Sequence, residues 1–287
     1  MWALGFDAVN PAQEPLPEAD AFFKAVRDNL IRAERVNHLY AYRERRTDIH
    51  TNPFGRLGTD GTSLFEVYPS VIRSLTYRRL IERNGTPVSA RDRAAQDSEY
   101  RARVAEVQRD AGGNARRLLD EQDAAARQRG QRAVEDVANT LAFRIDRRDV
   151  YDGVPTIVVA FAPKPRASPV TRQGRIAERF AGTIWVAEAA AEVMRLEAKS
   201  IDDISIGFGI VARLSEGTTA IVTRRAVDAD LWMPVELSLT GRGRAAFFLR
   251  RLTVDFRTEW FDYRRLPADV LAPFLDARVQ RESGRRP

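Results

Sequence analysis

His38 and His50 are the only imidazoles in this chain of 287 residues, so chemistry that depends on histidine has little to work with. They stand twelve positions apart, at opposite ends of one expected strand, which separates them by roughly 40 Å at about 3.3 Å per residue. They cannot share a triad or a metal site. Cysteine is absent, which removes thiol nucleophiles, zinc–thiolate sites and disulfides. There is no Gly-x-Ser-x-Gly elbow, His-Glu-x-x-His pair or Walker-type loop. Gly55, Gly58 and Gly61 recur every third residue. They join two strands, however, without the helix N-terminus that would hold a phosphate, and read as a hairpin tip. Glu197, Asp202 and Asp203 offer carboxylates for acid–base work or a cation only if they converge in a shielded site. Two adjacent acids beside a turn read more simply as solvated. Lys164, Arg166, Arg172 and Arg175 lie in a loop that contains no acid, and can meet a lipid headgroup or an anionic partner. The plainer reading is an exposed connection.

What the chain has in quantity is alternating apolar side chains. Ile184 and Val186, Ile206 and Phe208, Met233 and Leu237, and Val254 and Phe256 each lie two or four apart within a strand-like segment, which puts each pair on one face of a sheet. These eight are the expected contacts for a hydrophobic ligand. Lys164, Arg166, Arg172 and Arg175 are the expected contacts for its headgroup or for a protein partner.

The elements that would position them follow from the same periodicities. Glu18 to Val36 carries Phe22, Phe23, Val26, Leu30 and Ile31 at helical spacing, an amphipathic helix whose stripe needs a sheet to cover. Leu39 to Ile49, Leu64 to Tyr68 and Leu75 to Arg83 read as strands that open an antiparallel meander. From Ser89 to Asn139 the chain is helical and highly charged, with ten arginines against ten acids. Ser89-x-x-Asp92 starts it like a capping box, Gly112-Gly113 divides it, and Gly130 is an expected interruption. Its thin apolar stripe leaves two readings open, a solvated hairpin or a movable lid. Leu141 to Ile145 and Thr156 to Ala162 flank the turn Tyr151-Asp152-Gly153. Phe180 to Val186, Val193 to Glu197, Ile204 to Ile210, Thr218 to Thr223, Leu231 to Leu239 and Leu252 to Trp260 are further strands. A sheet of roughly nine to eleven antiparallel strands is too wide to stay flat and should curl into a half-barrel. The fold class is therefore mainly β with helices, a curved meander whose concave apolar face must be covered by helices or a ligand. A helical segment as charged as 89–139 cannot fill that face completely.

Composition limits the partners. The formal net charge is +6, from 46 basic and 40 acidic side chains, and only three of the basic ones are lysine. With a pI near 9.9 but no clustering of charge, nucleic acid is not expected. No cofactor is called for, and no apolar run approaches the roughly 20 residues of a membrane span. Residues 1–17 read as a leader or signal remnant, because Met1 to Phe6 lacks a basic n-region and Pro11 to Pro17 looks like the start of a mature exported protein. Residues 18–266 read as one half-barrel domain with the helical insertion 89–139. Residues 267–287 read as a short helix and a basic tail.

Phe180-Ala181-Gly182-Thr183-Ile184-Trp185-Val186 followed by Val193-Met194-Arg195-Leu196-Glu197, together with the N-terminal amphipathic helix and the long meander, resembles the LolA/LolB-like lipoprotein-localisation carrier superfamily, which includes periplasmic stress-sensor domains. The resemblance covers roughly residues 18–265. It implies a non-enzymatic periplasmic or exported protein whose half-barrel binds a lipid, an acyl chain or a lipoprotein. The alternative is an interaction or sensor domain with a filled sheet, meeting an envelope protein through the charged hairpin or the basic loop. An unrecognised carboxylate site would make it an enzyme.

Overall fold

The computed structural model describes residues 15–49, 61–206, 212–229, 231–245, 250–267, 272, 274 and 275. Helix α1 (Ala19–Val36) begins where the Glu18 carboxylate accepts from the Asp20 and Ala21 amides, satisfying donors that a helix start leaves unpaired. Strands β1 (Tyr40–Ile49), β2 (Gly61–Tyr68), β3 (Tyr77–Arg83) and the two-residue β4 (Thr86–Pro87) follow. The charged segment then forms α2 (Ala90–Asp110) and α3 (Ala115–Thr140). Ser89 caps α2 as its spacing predicts, accepting from the Asp92 amide and donating to its carboxylate. Gly112 and Gly113, at φ 53° and 84°, occupy the left-handed region that glycine enters without steric cost. Gly130 does not interrupt α3. A Cβ there would lie 3.1 Å from Glu34 Cβ, so the glycine lets α1 and α3 pack closely.

The rest of the chain is β5 (Leu141–Tyr151), β6 (Val154–Pro163), a short α4 (Arg172–Ala177), β7 (Phe180–Ala187), β8 (Glu192–Ser200), β9 (Ile204–Ile206), β10 (Ala212–Leu214), β11 (Thr219–Asp228), β12 (Leu231–Ala245) and β13 (Arg250–Arg265). Asp152 and Gly153, both at positive φ, make the β5–β6 turn that the sequence marks. Of the run from Ile204 to Ile210 read as one strand, β9 takes Ile204–Ile206, whose last residue pairs with Ala212, and 207–210 lie outside the described residues. Helix α4 falls in a segment whose prolines read as loop, and owes its start to Thr171, whose hydroxyl accepts from the Gly174 amide.

Among the described residues there is one open, curved antiparallel sheet, in the order β4-β3-β2-β1-β13-β12-β11-β8-β7-β6-β5, with β10 beside β12 and β9 beside β10. The meander is not sequential throughout, because β1 pairs with β13 and β4 and β5 lie at opposite edges. The α2–α3 hairpin carries the chain between those edges. At 1.5 Å per residue, a helix of 26 residues reaches about 39 Å, long enough to roof much of the sheet. Helix α1 packs beside it, seating Phe22 against Ile157, Val159, Val186 and Val193. Gly182 fits the crowded β7–β8 pairing, since a Cβ there would stand 1.9 Å from the Glu197 carbonyl oxygen. Gln96 of α2 bonds both the amide and the carbonyl of Leu80, pairing backbone groups of β3 near one sheet edge.

Candidate functional site

Register places Phe143, Phe161, Val159, Ile184, Leu196 and Val222 on one face of β5, β6, β7, β8 and β11, since each is directly opposite another of the set across a strand pair. Helix α3 turns Ala126, Gly130, Ala133 and Val137 toward this face, at i, i+4, i+7 and i+11, one stripe of a 3.6-residue helix. Short side chains on the roof and long ones on the floor leave a cavity of about 690 Å³, walled on the α1 side by Phe23, Val26 and Leu30. This volume lies within the about 300–1,000 Å³ of small-molecule sites.

The end of the roof near β5 is held by Asp136. Its carboxylate accepts from the Thr171 hydroxyl at 2.6 Å, the Thr171 amide at 2.8 Å and the Val170 amide at 3.2 Å, and a Cβ on Gly174 would collide with it at 2.2 Å. Burial opposes the Asp136 charge, but these bonds outweigh it and hold the carboxyl below its usual pKa. A carboxyl depressed on folding adds stability above its unfolded pKa of about 3.9, and that stability is lost as pH falls through the folded value. Asp136→Asn is therefore expected to lower stability by about 2 kcal/mol near neutral pH. In urea denaturation across pH, the gap to the parent protein should close as the solution becomes acidic. A gap independent of pH would contradict the latch.

An ion cluster lies beside the cavity where β8 and β11 meet. Arg224 lines the cavity yet is buried, donating to Glu192 at 3.3 Å and to the Trp232 carbonyl at 2.6 Å. Arg32 of α1 reaches the other Glu192 oxygen at 3.2 Å. Burial pushes the Glu192 carboxyl up and the Arg224 guanidinium down, and each charge opposes the other's shift. Such a pair fixes α1 over β8 more than it adds net stability. Asn29 does the same where its amide donates to the carbonyls of Ala190 and Ala191.

Cationic side chains surround this apolar interior. Arg27, Arg35, Arg73, Arg127 and Arg129 line it along with Arg224, whereas among the described residues Glu34 is the one carboxylate in the lining. His38 sits in a 3-10 turn just before β1 and also faces the cavity. Its Nε2 lies 3.6 Å from Asp123. Burial lowers the His38 pKa while Asp123 opposes the shift. His50 and the tip containing Gly55 and Gly58 fall outside the described residues.

Of the eight apolar residues singled out in the sequence, Ile184 and Val186 line the cavity. Leu237, opposite Val222, extends the same face beyond it, as does Phe256, which is opposite Leu239 and lies under the Arg46 guanidinium. Val254 is two residues from Phe256 on β13 and shares its face. Met233 is buried between α1 and the start of β1, with Ala33, Tyr40 and Leu231. Ile206 ends β9, and Phe208 lies outside the described residues. None of Lys164, Arg166, Arg172 and Arg175 lines the cavity. Lys164 bonds the Ala138 carbonyl and Arg175 the Val170 carbonyl, while Arg166 and Arg172 point to solvent near α4. The candidate carboxylates are each paired with an arginine, Glu197 with Arg195, Asp202 with Arg179 and Asp203 with Arg213. Among the described residues no three His, Asp or Glu side chains gather as metal ligands, and no helix is long and apolar enough to cross a membrane.

Sequence reasoning missed the lining arginines and the small-residue stripe of α3. The stripe was visible in principle as Ala126, Gly130 and Ala133 at helical spacing, but only the sheet opposite gives it meaning.

No family model matches the chain, and no curated protein matches it. Three solved structures do. A DUF1329 family protein from Desulfovibrio piger is 11% identical over 84% of this chain and 92% of its own, with a TM-score of 0.28. An outer membrane lipoprotein-sorting protein domain from Vibrio parahaemolyticus is 10% identical over 89% and 99%, with a TM-score of 0.30. MucB, solved in complex with MucA(peri), is 10% identical over 86% and 99%, with a TM-score of 0.23.

Proposed function

We propose that this protein is a non-enzymatic carrier or sensor that shelters one hydrophobic chain, from a lipid or an acylated molecule, between α3 and the inner face of the sheet. The observation that carries this reading is the cavity of about 690 Å³ floored by Phe143, Val159, Phe161, Ile184, Val186 and Leu196. Each methylene moved into it from water contributes about 0.8 kcal/mol, so a long chain can be held without any covalent step. Ile184 and Val186 are the floor contacts that the sequence named. Leu237, Val254 and Phe256 continue the same face, and in this reading they guide the chain on its way in. An exported, periplasmic location accords with the sequence resemblance, and an envelope protein that delivers or receives the ligand is the corresponding partner.

A neutral long-chain fluorescent probe that brightens in apolar surroundings tests this reading. The expected result is saturable one-to-one binding, reversed by hexadecanol. If the probe does not bind, or if hexadecanol fails to displace it, the sheet is a filled scaffold and the interaction-domain alternative takes over.

A further inference from the structure

The charge around the cavity is more one-sided than shelter for a hydrocarbon requires. Among the described residues six arginines and one carboxylate, Glu34, line it, although the chain as a whole has 46 basic and 40 acidic side chains. Several of these arginines are already engaged. Arg224 is bonded to Glu192, Arg127 pairs with Asp123, Arg35 donates to Gln131 at 3.4 Å, and the Arg27 charge acts on the neighbouring Asp28 carboxylate. Arg73, in the turn between β2 and β3, and Arg129, on α3, are different. Both line the cavity, both are exposed, and neither guanidinium makes a hydrogen bond or ion pair with another described residue. One comes from the sheet side and one from the roof.

We propose that the ligand is an anionic amphiphile, a single long chain ending in a carboxylate or phosphate, with its apolar chain on the cavity floor and its anionic head at Arg73 and Arg129. This rests on the reading of the cavity given above and adds the class of headgroup. Guanidinium groups present planar, paired donors that suit carboxylate and phosphate oxygens. Next to an apolar, low-dielectric interior their attraction is less screened than on an open surface. A neutral hydroxyl head accepts a weaker hydrogen bond from them than an anion does, and a cationic head would be repelled.

Four ligands with the same sixteen-carbon chain separate these cases by displacement of the neutral probe at mildly alkaline pH: hexadecanoate, hexadecyl phosphate, hexadecanol and hexadecyltrimethylammonium. At least one anion is expected to bind about tenfold more tightly than hexadecanol, the ratio that a hydrogen bond to a charged partner supplies, and the ammonium more weakly than hexadecanol. A preference for hexadecanoate would identify a free fatty acid as the source, and one for hexadecyl phosphate a phospholipid-type head. Arg73→Gln and Arg129→Gln should each reduce the preference for the anion over hexadecanol, and together abolish it. Equal affinity for hexadecanol and both anions, or an anion preference that survives the double substitution, overturns the headgroup assignment and leaves the apolar cavity standing. If none of the four binds, the cavity reading fails with it.

Discussion

Asp97→Ala is expected to destabilise the protein by about 2–4 kcal/mol, the loss of two hydrogen bonds to a buried carboxylate. Asp97 is fully buried on the face of α2 that meets β3. The Tyr77 hydroxyl donates to one of its oxygens at 2.7 Å, and Arg79 Nη2 to the other at 3.1 Å. Burial first, and then the Asp97 carboxylate, push the Tyr77 hydroxyl pKa well above its usual value. The tyrosine therefore stays a neutral donor at any physiological pH. The Tyr77 ring stacks on Tyr100 of α2 at 4.3 Å between centroids, and Phe274 closes the cluster at 4.8 Å from Tyr77. Removing the carboxylate leaves the Tyr77 hydroxyl without its acceptor and the half-buried Arg79 guanidinium with Glu66 as its remaining partner, and the unpaired hydroxyl carries its own desolvation cost. Because α2 leads directly into α3, the loss should also loosen the cavity roof. Urea denaturation followed by circular dichroism measures the first effect and probe affinity the second. A change within about 0.5 kcal/mol, the range of an ordinary surface substitution, would contradict this role for Asp97.

Ala133→Trp is expected to weaken probe binding at least tenfold while leaving the fold as stable as before or more so. Ala133 lies on the roof stripe, facing the apolar floor. An indole there occupies space the ligand chain would take. Excluding two or three methylenes, at about 0.8 kcal/mol each, costs on the order of tenfold to a hundredfold in affinity. In a packed core the same substitution would force strain of about 1–3 kcal/mol. The two outcomes are therefore opposite in sign for stability. A large loss of stability would mean that the space between α3 and the sheet is already filled. Unchanged affinity would place the ligand elsewhere.

Much of the fold was legible because its signals are local. Phe22, Val26 and Leu30 mark α1 by spacing alone, and Ser89-x-x-Asp92 marks the start of α2. Asp152-Gly153 marks the β5–β6 hairpin, because a tight turn there needs positive φ. What stayed hidden depends on contacts distant in sequence. Nothing near Tyr40 or Arg265 announces that β1 and β13 pair, and without that pairing the α2–α3 hairpin cannot be seen to cross from one sheet edge to the other. The start of α4 depends on Thr171, which Asp136 holds from 35 residues away.

The candidate site divides along the same line. Ile184 and Val186 were legible because a strand fixes its inner face by parity. Arg73 and Arg129 were not, because one sits in a short turn and the other in a charge-rich helix whose pattern does not single it out. Lys164, Arg166, Arg172 and Arg175 attracted attention as a loop free of acids, yet the structure sets them beside α4 and off the cavity lining. Local charge density is a weak guide to a cavity lining assembled from α1, α3 and the β2–β3 turn.

The central claim is that the space beneath α3 holds a hydrophobic chain, and native mass spectrometry of the protein purified without detergent tests it most directly. The account predicts a one-to-one adduct whose extra mass is released by organic extraction as a long-chain amphiphile, and which is missing from Ala133→Trp. Protein that carries no adduct as purified, and forms none when long-chain ligands are added, would contradict it.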